Sequence, residues 1–222
     1  MVEYEKAIKR PVQDFEKFAV GVVLNFIPIV NLVVSGYGLH CARNTIRGDN
    51  SLPEWDGWVD LFVHGLVSAI IGFIYNLPAI FLVLASIGPM ILGLFTAVLA
   101  GDTSMVFAGL AGAVGGAILL LIIALIWVII AAYIIPAAVL QYVRDGFSFS
   151  SAFNLRQIIE RVFTVDYLVV WLFVWIYSFV AFVLLSFIPL VGSVVALFVI
   201  EVTSMTLFGE LYSKKKEAAI EP

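Results

Sequence analysis

The chain has 222 residues, 63% hydrophobic and 13% charged, with a formal net charge of −4 and a mean hydropathy of +1.10. A soluble domain is about half apolar and about a quarter charged, so lipid is the expected solvent. The acidic balance excludes a nucleic-acid footprint, and the single cysteine, Cys41, excludes an internal disulfide and a thiolate metal cluster. Backbone in lipid must satisfy its own hydrogen bonds, which leaves helices or a closed barrel. The apolar runs are long and lack strand alternation, so the expected class is all-α, a polytopic helical membrane protein. Five Trp and eight Tyr suit membrane interfaces.

Residues 1–17 are charged and predict a short interfacial helix, with Pro11 near a helix start. The apolar run 18–35 has charges before it and no small-residue cleavage site followed by a soluble domain. The first helix is therefore expected to act as its own insertion signal. The basic residues fall in four groups: Lys6, Lys9, Arg10 and Lys17; Arg43 and Arg47; Arg144, Arg156 and Arg161; and Lys214, Lys215 and Lys216. Positive residues favour the cytoplasmic side, so each apolar stretch between groups should make an even number of passes. Both termini are then cytoplasmic in a multi-pass protein of the cell membrane.

A full crossing needs ~20 residues, so residues 18–42 cannot hold two complete passes. Pro28 should reverse the chain, giving two short arms over about 14–26 and 29–47, a re-entrant or shallow hairpin. The alternative is one straight helix with Arg43 outside. Pro53-Glu54-Trp55-Asp56 carries helix-start signals, and Trp55, Trp58, Val59, Phe62, Val63 and Leu66 recur at helical spacing as an interfacial face. Residues 66–100 and 105–143 follow, interrupted by Asn76, Pro78, Gly88-Pro89 and Pro136, with Gly101-Asp102-Thr103-Ser104 as an outer turn. Each run is one pass or two short ones. Ala108, Gly112 and Gly116 repeat at the spacing that lets helices approach closely. Arg144-Asp145-Gly146 is a cytoplasmic turn. Residues 150–163 predict a second amphipathic helix capped by Ser150 or Ser151, with Leu155, Ile158, Ile159, Val162 and Phe163 on one face. Residues 167–187 and 194–212 form a last hairpin, turning at Pro189. The expectation is one membrane domain, 1–222, of about six membrane helices. Its hairpin units lie at about 1–47, 53–144 and 150–213, with cytoplasmic interfacial helices and a tail over 213–222. Pro28, Pro78, Pro136 and Pro189 are its hinges.

Phe26-Ile27-Pro28-Ile29-Val30 matches Phe187-Ile188-Pro189-Leu190-Val191 at two inferred hairpin tips. The same register pairs His40 with Glu201. The chain also resembles the prokaryotic, largely archaeal, membrane family known as domain of unknown function 4013. The residues carrying the resemblance are Gly36-Tyr37, Arg43, Gly48, Leu52-Pro53-Glu54-Trp55-Asp56, Gly65, Leu77-Pro78, Pro136-Ala137, Tyr142 and Ser151-Ala152-Phe153. The resemblance implies a polytopic membrane protein and transfers no catalytic residue.

Glu201 is the foremost polar candidate, because a carboxylate inside a span is costly and often marks an ion or proton path. An ion pair or proton relay with His40 is one reading; a structural Glu that is protonated or bonded to Thr203, Ser204 or a Tyr is the other. Asn25, Asn31 and Asn76 are the further intramembrane candidates, the first two flanking Pro28 where they can satisfy freed backbone groups. Asp56, Asp60 and His64 share a helical face that could bind a divalent metal, but a solvated face accounts for them and no metal is expected. Adjacent helical side chains diverge by about 100°, so His40-Cys41 is no nucleophilic pair. Gly36 and Gly38 lack the context of a phosphate loop. Arg43, Arg47, Trp55, Asp56, Asp60, His64, Arg156 and Arg161 are the cytoplasmic-face candidates.

No convergent nucleophile, base and metal set is present, so neither an enzyme nor a cofactor is expected. The first functional expectation is a scaffold organising lipids or partner proteins at the cytoplasmic face, as a homo-oligomer or with a membrane-protein partner. The alternative is a small transporter or channel with a midplane site around Glu201.

Overall fold

The computed structural model describes the backbone of residues 2–100 and 103–213, with side chains described throughout these except at 90, 94, 97, 98, 100 and 103–113. The described residues form eight α-helices, two 3-10 turns and no strand. The helices are α1 Tyr4–Lys9, α2 Phe15–Asn25, α3 Asn31–Ile46, α4 Trp58–Ala100, α5 Thr103–Arg144, α6 Leu155–Val162, α7 Val165–Ser186 and α8 Gly192–Leu211. Four are long and apolar enough to cross a membrane, within Trp58–Gly93, Val114–Arg144, Val165–Ser186 and Gly192–Leu211. The 11 residues of α2 and 16 of α3 span only about 16 and 24 Å. Neither reaches across a ~30 Å core, so the first hairpin is the short one expected from Pro28. Ala108, Gly112 and most of the tail lie outside the described side chains, as do Gly101 and Asp102 of the outer turn.

The chain divides into two compact units, Met1–Ile71 with Pro136–Pro222, and Gly72–Ile135. The division runs through α4 and α5 rather than between hairpins. Each of these helices is continuous, α4 through Pro78 and Pro89 and α5 through Pro136. Within the second unit the Trp127 indole donates to the Tyr75 carbonyl at 2.9 Å. Asn76 returns its amide to the Gly72 carbonyl one turn back, at 2.9 Å.

Local chemistry explains the breaks in the first unit. Asp14 caps α2, its carboxylate accepting from the Glu16 and Lys17 amides. Gly48, at φ +86°, ends α3 in a Schellman turn: Gly48 N–H bonds to Thr45 C=O and Asp49 N–H to Asn44 C=O. Gly146, at φ +73°, ends α5 the same way through the Val143 and Tyr142 carbonyls.

The Pro53-Glu54-Trp55-Asp56 start signal does not open α4. These residues form a loop, and the helix begins at Trp58. Tertiary contact outweighs the local signal: the Trp55 ring stacks on Tyr37 at 3.9 Å and its indole donates to the Lys17 carbonyl at 3.0 Å. Likewise the Ser150–Ser151 region is a 3-10 turn, and α6 is capped by Asn154, which accepts from the Gln157 amide.

The two Phe-Ile-Pro tips fold alike. Ile29 and Leu190 both take the left-handed conformation, at φ +75° and +66°. Ile27 N–H bonds to Leu24 C=O as Ile188 does to Leu185, and Asn31 N–H to Ile27 C=O as Gly192 does to Ile188. Helices α3 and α8 leave these tips side by side in parallel. Equivalent residues meet along them: Tyr37 and Phe198, with ring centroids 6.2 Å apart, and Cys41 and Val202, lie in one buried core with Val22, Val34 and Leu52. The α2 backbone approaches closely at Gly21, where a Cβ would meet the Phe198 ring at 2.1 Å.

Helices α3 and α4 cross at backbone contact. A Cβ on Gly36 would lie 1.8 Å from the Leu61 carbonyl oxygen, and one on Gly65 would lie 1.9 Å from that of Leu32. Gly72 faces open space. We expect Gly36→Ala and Gly65→Ala each to destabilise by about 3 kcal/mol, and Gly72→Ala to be neutral or to stabilise by up to ~1 kcal/mol. Thermal unfolding of the detergent-solubilised protein checks this; equal effects at all three positions would contradict the crossing.

Candidate functional site

Arg10 sits on the 3-10 turn after α1 and is 1% exposed. Its Nη1 donates to the Thr45 hydroxyl at 2.6 Å, the Thr206 hydroxyl at 2.8 Å and the Cys41 carbonyl at 3.3 Å. Its Nη2 donates to the Ser51 carbonyl at 2.8 Å. Thr45 and Thr206 are equivalent in the repeat register, and each returns its own proton to the carbonyl one turn back, Cys41 and Val202. The guanidinium therefore pins the N-terminal segment to the paired ends of α3 and α8 and to the following loop. That loop is held by Asp49, which accepts from the Ser51 amide at 2.8 Å. This bond, with the Ser51 hydroxyl, draws the Asp49 carboxyl below the usual carboxylate range. No described carboxylate lies within ion-pair distance of Arg10, and its Nε is buried without a partner.

His40 does not pair with Glu201. Its Nε2 lies 3.0 Å from Nδ1 of His64, and the two rings share Phe147. Phe147 stacks on His64 at 3.7 Å, lies 5.3 Å from His40, and has the Arg43 guanidinium carbon over its ring at 5.2 Å. Tyr142 closes the box edge-on, 5.2 Å from Phe147. Phe147 reaches this place because the α5 cap holds it at φ +64°. Asp56 does not share the face of Asp60 and His64, since it lies in the loop before α4. Both aspartates are exposed. The described residues hold no group of three or more His, Cys, Asp or Glu placed for one ion.

Glu201 lies at the middle of α8, ten residues from Leu211 and nine from Gly192 on a helix of 20. Its carboxylate folds over Gly38, where a Cβ would stand 2.7 Å from Oε1. It has no hydrogen bond to Thr203 or Ser204: Thr203 faces the Tyr177 hydroxyl at 3.4 Å, and the Ser204 hydroxyl is buried unpartnered. Asn25 and Asn31 do not serve the turn at Pro28, which closes through its own backbone; the Asn25 amide nitrogen is buried without a partner. Gly116 meets no neighbour among the described residues that a Cβ would touch.

At the charged end, Arg161 donates to the Leu211 carbonyl at 3.2 Å and covers the Tyr212 ring at 4.6 Å. Arg156 pairs with Glu160 at 3.0 Å, exposed, and Arg47 is exposed at the end of α3. The expected apolar face of α6 is divided. Ile158 and Val162 are buried against the protein, whereas Leu155, Ile159 and Phe163 are 57%, 48% and 83% exposed.

Arg10, Thr45, Thr206 and Phe147 are the residues that reasoning from sequence missed. The repeat register already pairs the two threonines; nothing local distinguishes Arg10 from its neighbouring lysines, or marks Phe147. Arg10→Ala is expected to cost about 3 kcal/mol, read by thermal unfolding and by faster amide exchange in α1. Arg10→Lys should not restore it, because one ammonium cannot reach both threonines and Ser51. Full rescue by lysine would show that charge alone is needed.

No curated protein and no solved structure matches the chain. A family model does match, over residues 20–190, under the description "Protein of unknown function (DUF4013)". With most of its length covered by that match, the chain belongs to the DUF4013 family.

Proposed function

We propose that this is a non-enzymatic integral protein of a prokaryotic, archaeal-like cell membrane that organises lipid at the cytoplasmic face, with both termini on that side. The observation that carries the reading is the outer edge of α6. This helix is held to the protein by Ile158 and Val162 and by Arg161 on the end of α8, yet it turns Leu155, Ile159 and Phe163 outward beside Arg156. The neighbouring Val165 is 77% exposed. An amphipathic helix of this kind lies in the headgroup region. Each such side chain is worth about 1.5–3 kcal/mol when fully buried, and each nearby basic residue adds about 1 kcal/mol toward anionic lipid. Phe15 at the start of α2, five residues after Arg10 in the chain, is also 80% exposed. The short first hairpin supports the same reading, because it fills one leaflet more than the other.

A second reading, a small transporter or channel, has one observation in its favour: the carboxylate of Glu201 at the middle of a candidate span. A flux in proteoliposomes that Glu201→Gln abolishes, with folding intact, would favour it.

Replacing Leu155, Ile159 and Phe163 together by serine tests the lipid reading, because Ile158 and Val162 stay in place. The triple variant should keep its unfolding temperature and lose retained anionic lipid in native mass spectrometry. Unchanged lipid retention would sink the reading.

A further inference from the structure

The two hairpins are alike at their tips and along the α3–α8 seam, but they differ on their outer sides. On α3 the stripe Leu32, Gly36 and His40 receives α4. Gly36 and Gly65 admit the close crossing, and His40 joins His64 at 3.0 Å as a polar lock beside it. The repeat register carries this stripe onto Ser193, Leu197 and Glu201 of α8. There Ser193 is exposed and Leu197 is 51% exposed, and Glu201 is half-buried with no hydrogen-bonding or ion-pairing partner among the described residues. The first repeat thus has both helix and lock, and the second has the stripe and one half of a lock.

We propose that Ser193, Leu197 and Glu201 form the docking stripe for a transmembrane helix of a partner protein that carries a lysine or arginine at the level of Glu201. The physical ground is charge complementarity. Glu201 lies within a candidate span, nine residues from Gly192 and ten from Leu211. Ionisable groups in spans face a protein interior and pair there. The Gly38 notch keeps the Glu201 side chain folded on α3, with Oε1 over the glycine, so the carboxylate is held in place for a donor approaching along the stripe. The length of that donor follows from Leu197. Where α3 has Gly36 and backbones touch, α8 has a leucine, which keeps a docked helix at an ordinary separation of about 8–10 Å. A histidine reaches across the α3–α4 crossing; across a leucine spacer a longer basic side chain is required. This inference does not depend on the lipid surface of α6.

The test uses the full-length protein, fluorescently labelled at its C-terminus, in phosphatidylcholine bilayers. The probes are labelled leucine–alanine transmembrane peptides of about 20 residues whose central residue is Lys, Asn or Leu. Energy transfer should show the Lys peptide binding on the order of tenfold tighter than the Leu peptide. Glu201→Leu and Leu197→Trp should each remove that preference, and Leu172→Trp, at an exposed position on α7, should leave it intact. Glu201→Gln serves as the conservative variant: it should lose the preference for Lys over Asn and keep its unfolding temperature. Equal binding of the Lys and Leu peptides would overturn the proposal, as would a Lys preference that survives both stripe variants. A Glu201-dependent homodimer that the Lys peptide cannot displace would overturn the partner and assign the stripe to a second copy of the chain.

Discussion

The first unit depends on one buried guanidinium. Arg10 reaches the hydroxyls of Thr45 and Thr206, the Cys41 carbonyl and the Ser51 carbonyl, and so joins the N-terminal segment to the end of α3 with its following loop and to α8. A buried cation without a carboxylate is costly unless other groups supply negative potential. Here the helices supply it. Thr45 is the penultimate residue of α3, and Thr206 lies near the end of α8. The two helices run parallel, so their negative dipole ends converge on the same place. Side-by-side parallel dipoles repel, and a cation at their shared C-terminal end offsets that repulsion. The planar fork of arginine suits the arrangement, since one nitrogen serves both threonines and the other the loop.

That pin gives the internal repeat a physical meaning. The two hairpins match not only in the Phe-Ile-Pro string but in a left-handed residue after each proline and in the bonds that close each tip. The α3–α8 seam follows, with Tyr37 against Phe198 and Thr45 beside Thr206 on one arginine. Symmetry ends where the arms differ in length. Helix α2 has 11 residues and α7 has 22, so one hairpin is short and its partner is long enough to cross. The outer sides differ as well: α3 is covered by the first turns of α4, and α8 presents Leu197 and Glu201.

The charged end shows how aromatic side chains can override helix signals. Trp55 abandons a helix start to stack on Tyr37. Phe147 accepts a left-handed backbone, unfavourable for a bulky residue, and fills the space between His64, His40 and Tyr142. Both rings are held by several partners at once, which is what lets a local preference lose. The same end carries α6, whose apolar residues serve two directions. Ile158 and Val162 face the protein, and Leu155, Ile159 and Phe163 face away from it.

Much of the fold was legible in the sequence because runs this long and apolar leave few choices. Long apolar runs with basic residues only at their ends point to helices, and Pro28, in a run too short for two crossings, points to a reversal between two short arms. Glycines after Arg47 and Asp145 end helices wherever they fall. The Phe-Ile-Pro match located both tips, and its register paired His40 with Glu201; the same register holds Thr45 and Thr206, which went unread. Tertiary structure decided what the register alone could not: that the threonines meet on Arg10, that His40 turns instead to His64, and that Glu201 folds over Gly38 with no donor among the described residues. It also decided that the start signal at Pro53 is spent on a loop, and that α6 exposes three of the five apolar residues assigned to one face. Periodicity reports which side of a helix is apolar; whether that side meets protein or lipid is set by which helices come to lie beside it, through contacts between residues far apart in the chain.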